Sequence, residues 1–170
     1  MKITEPLPTM LVDTREQTPL LFSRLPSVRG TLTTGDYSIV GGEDLFSVER
    51  KSIPDLVASV TGERERFERE LHRLRGYRFK RLLVVGTRGE VESHRYRSNA
   101  SPKSVFSSVS AFEVRYDLPV VWAATPEEAA VMVEGWAWWF ARELRQAASL
   151  MAAPTPEVDP VIVPEASGAS

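Results

Sequence analysis

The sequence contains no cysteine and only two histidines among its 170 residues. Without cysteine there is no disulfide framework and no thiolate metal site, and two histidines are too few for a histidine-based zinc centre. Any metal held here must sit on carboxylate oxygens. Long apolar runs are also lacking. The opening MKITEPLPTM has no hydrophobic leader core, and the most apolar helical stretch, VMVEGWAWWFARELR, is interrupted by Glu134 and runs into charges. The expectation is a cytoplasmic protein with no membrane partner. No internal repeat is visible, and the length suits one domain with a real core, expected over residues 1–150.

What is present is at first ordinary. Hydrophobic residues make up 42% and charged residues 26%, close to the averages for globular proteins, so composition names no functional class. The net charge of −2 hides an uneven distribution. Residues 50–103 carry 14 Lys and Arg against 7 Asp and Glu, and the rest of the chain carries 7 against 16. A basic middle between acidic flanks fits a surface that meets phosphate, because the local field steers a ligand and not the whole-chain sum. A self-paired, solvated helix face accounts for the same charges.

Apolar patterning predicts strands at 10–13, 31–40 and 45–51, the last two joined by a turn at 41–44. Helices are expected at 52–60 and 62–75, a strand at 81–85, a polar loop at 86–100, a helix at 101–116, a strand at 118–123 and a helix at 125–148. Alternating strands and helices after a hairpin indicate an α/β fold, a mixed central sheet flanked by helices. Residues 151–170 hold four prolines among small and acidic residues, and are expected to form a disordered tail.

The stretch LFSVERKSIPDL at 45–56 places three charges in a row where a strand should still run. Side chains alternate along a strand, so Glu49 and Lys51 share one face while Arg50 joins Phe46 and Val48 on the other. With a four-residue turn at 41–44, counting back sets Asp36 opposite Glu49. Directly opposed carboxylates repel, and such an arrangement needs something positive between them: Lys51, or a divalent cation bound by oxygens. Asp13 or Glu16, after the first strand, can add a further carboxylate. Simpler readings exist for each: Asp13 capping a turn, Asp55 closing a capping box with Ser52, Glu49 and Lys51 as an ion pair.

Taken together, VDTRE at 12–16, GDYSI at 35–39 and VERKSIPDL at 48–56 resemble the XPF-type nuclease domain, whose signature is GD, a spacer, then ERKxxxD. The resemblance extends over roughly residues 10–148. It implies a restriction-endonuclease-like fold and hydrolysis of DNA phosphodiesters with Mg²⁺ or Mn²⁺, and nucleoid association if the source is bacterial or phage. By this resemblance Asp36 and Glu49 match the metal-binding carboxylates, Lys51 the catalytic lysine, and Asp13 a further acid near the metal. Arg15, Glu16, Arg50 and Asp55 match other motif positions. Arg66 and Phe67 match an arginine-aromatic pair after which a glutamine is usual; here that position holds Glu70.

Relatives often carry a tandem helix-hairpin-helix module or a helicase domain, for which these residues leave no room. Any preference for branched, flap or nicked DNA is then expected to depend on a recruiting protein. Of the basic residues on and after the second helix, Arg66 is expected to pair with Glu70 and Arg69 with Glu65. Arg75, Arg78, Lys80 and Arg81 lack such neighbours and are the better candidates for phosphate contact. Met132, Trp136, Trp139 and Phe140 make an apolar stripe on the last helix, and related domains pair through late helices, so a homodimer is expected. The rival reading is a DNA-binding or pairing subunit that kept the fold and lost the chemistry. Retention of Asp36, Glu49 and Lys51 favours the enzyme. Action on duplex ends or RNA stays open.

Overall fold

The computed structural model describes residues 6–152. Apart from Met151 and Ala152, the segment expected as a tail lies outside them. The chain runs β1 (Met10–Asp13), β2 (Ser27–Gly30), β3 (Tyr37–Ile39), β4 (Phe46–Ser52), α1 (Ile53–Val60), α2 (Arg64–Leu74), β5 (Phe79–Val85), α3 (Arg88–Glu92), α4 (Pro102–Tyr116), β6 (Val120–Ala123) and α5 (Pro126–Met151). The strands form one six-stranded sheet in the order β2-β1-β3-β4-β5-β6. β3 is antiparallel to both β1 and β4, whereas β1–β2, β4–β5 and β5–β6 are parallel. The expected mixed sheet is therefore present.

Period-two alternation sorts the strands onto two cores. Phe46, Val48 and Leu83 face α5, meeting Ala129, Val133 and Ala137. Leu82 and Val84 face the other way, onto Leu56 of α1, Phe67 and Leu71 of α2 and Phe112 of α4. Glu49 and Lys51, out of phase with Phe46 and Val48, consequently leave the sheet on the α1–α2 side. That sorting places the charged end of β4 next to α2.

Helix ends follow local chemistry. Ser52, Ser101 and Thr125 cap α1, α4 and α5 through their side chains, each followed by proline in the first turn. The structure differs from the sequence expectation in three places. The strand expected over 31–40 is regular only at Tyr37–Ile39. β2 is a short, mostly exposed edge strand whose residues SVRG have no apolar alternation to announce it. And the 86–100 loop contains α3, whose capping box, Thr87 with Glu90, was there to be read.

One buried acid ties the ends of the domain together. Glu134, 3% exposed on α5, accepts the Arg24 and Leu25 backbone N–H groups at 2.6 and 3.0 Å. Glu134→Ala leaves those donors without their partner and is expected to lower unfolding free energy in urea by about 2–3 kcal/mol. A change below about 0.5 kcal/mol would contradict the clamp. Among the described residues no helix is long and apolar enough to cross a membrane.

Candidate active site

A cleft of about 630 Å³ opens where the end of β1, the segment leading into β3, the second half of β4 and the exposed sides of α1 and α2 meet. It brings together Asp13, Arg15, Glu16, Asp36, Glu49, Arg50, Lys51, Asp55 and Arg66. The motif blocks, spread over residues 12–56, thus share one cavity.

The GD pair enters it through a constrained turn. Gly35 has φ +79°, and a Cβ there would lie 2.1 Å from Ser47 Oγ, so both backbone conformation and space demand glycine. Asp36 follows. Its N–H donates to the Val48 carbonyl at 2.9 Å and its carbonyl accepts the Asp13 N–H at 2.9 Å, locking it between β4 and β1. Tyr37 pairs with Val48, the register counted from the 41–44 turn. At Asp36 the ladder shifts by one, and its carboxylate turns onto the Arg50 N–H at 2.7 Å.

The carboxylates fall into two groups. Asp13 accepts Arg15 N, Nε and Nη2 and Leu32 N at 2.7–3.2 Å, so both its oxygens are engaged. Burial opposes its charge, but the Arg15 and Leu32 hydrogen bonds outweigh burial and hold its pKa below the usual value. Glu16 is similar: Arg50 Nε and Nη2 donate to its two oxygens at 3.1 Å, Thr18 N donates at 2.9 Å, and its pKa is lowered in spite of burial. Arg50 is thereby pinned to Glu16 on the far face of β4.

Asp36 and Glu49 are the reverse. Burial, then the charge of Glu49, pushes the Asp36 carboxyl up to about 8. Burial also raises Glu49 against the pull of Lys51, with Glu70 adding to the rise. Lys51 Nζ lies 2.6 Å from Glu49 Oε1 and 4.9 Å above the Phe67 ring. Burial works against the ammonium, yet the Glu49 contact wins and its pKa is raised. One ammonium therefore serves two carboxylates that hold charge reluctantly, which is the electrostatic condition a divalent cation relieves.

Among the described residues no group of three or more metal-ligating side chains is gathered. The donor set is Asp36 and Glu49, hard oxygens without imidazole or thiolate. That suits Mg²⁺ or Mn²⁺, which take one or two carboxylates, waters and substrate phosphate. Asp13 would have to release Arg15 to join it.

Asp55 lies at the cleft wall and makes half of the expected capping box: its N–H donates to Ser52 Oγ at 3.3 Å, while its carboxylate accepts the Ser52 hydroxyl and not the Ser52 N–H. The basic residues differ from expectation. Arg66 pairs with Glu63 at 2.6 Å instead of Glu70, and no ion pair joins Glu65 to Arg69 among the described residues. Glu70 turns into the cleft, as does Arg73. Lys80 bonds Asp117 at 3.0 Å, correcting the view that it lacks an acidic neighbour; the partner is 37 positions away and invisible to a helix-spacing rule. Arg81 lies over Phe79 and Trp136, and Arg78 over Phe140, on the α5 side of the sheet. Neither these three nor Arg75 lines the cleft. Phe67 under Lys51 is the contact that sequence reasoning missed: the resemblance matched Phe67 to an arginine-aromatic pair without placing it beside the lysine.

The profile of the family described as "ERCC4 domain" matches residues 12–135. Comparison with curated proteins gives no match. Among solved structures the chain is similar to XPF from Aeropyrum pernix, at 22% identity and a TM-score of 0.65, over 89% of this chain and 76% of that one. A second structure, XPF from Aeropyrum pernix in complex with DNA, gives 21% identity and a TM-score of 0.63 over the same shares. The family match covers more than half of the chain and takes in each of the three motif blocks; the chain belongs to the ERCC4 domain family.

Proposed function

We propose that this chain is a divalent-metal-dependent endonuclease that hydrolyses DNA phosphodiester bonds. The observation that supports it most is the pair of carboxylates, half-buried Asp36 and buried Glu49, both with raised proton affinity, beside an ammonium 2.6 Å from Glu49. Mg²⁺ or Mn²⁺ on Asp36 and Glu49 would supply Lewis-acid polarisation of the scissile phosphate and an acidified water. The chain's own groups do the rest. The Arg50 N–H fixes the Asp36 carboxylate, and the Arg50 side chain, anchored on Glu16, holds the 14–18 loop against β4. Lys51, set between Glu49 and the Phe67 ring, offers fixed positive charge where the phosphorus accumulates negative charge. Arg15, 67% exposed though held by Asp13, stands at the rim to meet a flanking phosphate, with Arg66 and Arg73 on the α2 wall.

The solved XPF structure with DNA is a statement about that protein, and it supports DNA as the substrate here. Selectivity for branched, flap or nicked DNA, a recruiting protein and a role in DNA repair belong to the same proposal. So does a homodimer. Met132, Trp136 and Phe140 of the expected stripe pack on the core, but Trp139 is 58% and Val131 44% exposed on the same helix. Light scattering giving the monomer mass at micromolar concentration would remove the dimer.

The test is cleavage of labelled flap, fork, nicked and linear DNA with Mg²⁺, Mn²⁺ or EDTA. The wild type is expected to cut in either metal and not in EDTA, and Asp36→Asn to lose at least about 10³-fold in rate. Equal traces of product in every lane would instead support a subunit that binds DNA without cutting it.

A further inference from the structure

A second cavity, of about 480 Å³, lies beside α1. Pro54, Val57 and Ala58 form its helical wall, and Arg95, Tyr96 and Arg97, from the loop after α3, form the facing wall. Ala58 borders this cavity and the carboxylate cleft alike, so a single helix separates the two.

The loop is a built scaffold. His94 takes the left-handed backbone conformation, φ 53°, and its ring stacks on Tyr96 with centroids 4.3 Å apart and 19° between planes. His94 Nε2 lies 2.7 Å from the Ser98 carbonyl, and the Tyr96 hydroxyl donates to the Ala100 carbonyl at 2.8 Å. On that frame Arg95 and Arg97 stand exposed. Among the described residues, neither is within ion-pair distance of an acid. Glu90, whose charge Arg95 does feel, commits one carboxylate oxygen to the Thr87 N–H and hydroxyl. Two unpaired guanidinium groups flanking an aromatic ring, over an apolar wall, make a surface for a polyanion with flat apolar parts. A nucleic-acid strand has that chemistry.

We propose that this groove seats the DNA strand that leaves the carboxylate cleft, with Arg95 and Arg97 on its phosphates. The inference rests on the reading of the cleft as a DNA nuclease site. A helix is roughly 10–12 Å across, and phosphates along one strand advance about 3.4 Å each, so the contacted phosphates lie about three or more nucleotides from the bond to be cut. Pro54 and Val57 then meet sugar or an unstacked base.

The experiment is fluorescence anisotropy of labelled single-stranded and duplex DNA, with the full chain, in EDTA, across a salt series. The double variant Arg95→Ala/Arg97→Ala is expected to bind roughly ten- to fifty-fold more weakly at 0.1 M salt, and the slope of log K against log salt to become shallower by about 1.4–1.8. Thr61→Glu, which adds a negative charge on the helical wall without touching the arginines, should weaken binding in the same direction. Melting temperatures report that both variants are folded. Wild-type affinity and slope in both variants would overturn the groove, even if the protein cuts DNA. Binding that depends on these arginines in a protein that never cuts leaves the groove standing and removes the nuclease reading.

Discussion

Lys51→Met is expected to slow single-turnover DNA cleavage by about 10²–10³-fold while DNA affinity changes by less than about threefold. The methionine keeps an apolar stem over Phe67, so the substitution removes charge with little loss of packing. What goes is a fixed, largely buried cation, and such a donor acts on charge that appears only in the transition state. An interaction made only there lowers kcat and leaves binding in place. Arg15, exposed at the rim, should behave in the opposite way when truncated, weakening DNA binding more than the chemical step. If Lys51→Met cuts at the wild-type rate, the ammonium is only the neutralising partner of Glu49.

The second large effect concerns pH and metal together. Asp36 has a pKa raised to about 8, by burial first and by Glu49 second, and Glu49 is shifted the same way. A carboxyl whose folded pKa is raised contributes stability that is fully present below the ordinary carboxylate pKa and is lost as pH rises through the folded value. Metal-free protein should therefore lose stability between about pH 5 and 9. A tenfold change in proton affinity is worth at most about 1.4 kcal/mol, and partial solvent access reduces it, so a loss on the order of 2 kcal/mol is expected, or roughly 4–8 °C in Tm. Asp13 and Glu16, with lowered values, act with the opposite sign and only in acid, where protonation removes their stabilisation. The two pairs occupy different windows.

Added Mg²⁺ should recover that loss at pH 8.5 and do little at pH 5, because the ligands must give up protons to bind it. Asp36→Asn is expected to flatten the pH dependence and to lose the Mg²⁺ response. A wild-type Tm that is level from pH 5 to 9, with the same Mg²⁺ effect at both ends, would contradict the assignment.

Much of this site was legible in the sequence because its parts are local. The four-residue turn sets the pairing of Tyr37 with Val48, and alternation along 46–51 puts Glu49 and Lys51 on one face; the counted opposition of Asp36 and Glu49 gives way to the one-residue shift that turns the Asp36 carboxylate onto the Arg50 N–H. The ion pair and the Asp55 cap follow from spacings of two and three residues. What sequence spacing cannot carry is which acid is satisfied by whom. Asp13 is quiet because of Arg15, two positions on, together with Leu32, 19 positions on, and Glu16 because of Arg50, 34 positions on. Asp36 and Glu49 stay unsettled because, among the described residues, no donor reaches them apart from the Arg50 N–H and Lys51. The edge strand at Ser27–Gly30, the Lys80–Asp117 pair and the Glu134 clamp were hidden for the same reason, long-range partners with no local signature.

The decisive measurement is anomalous scattering from crystals of the protein soaked in Mn²⁺ at pH 8. A single strong Mn²⁺ peak within coordination distance of an Asp36 oxygen and a Glu49 oxygen, and gone in Asp36→Asn, is the predicted result. Crystals that show no Mn²⁺ at this pair, or hold it on other side chains, would contradict the account.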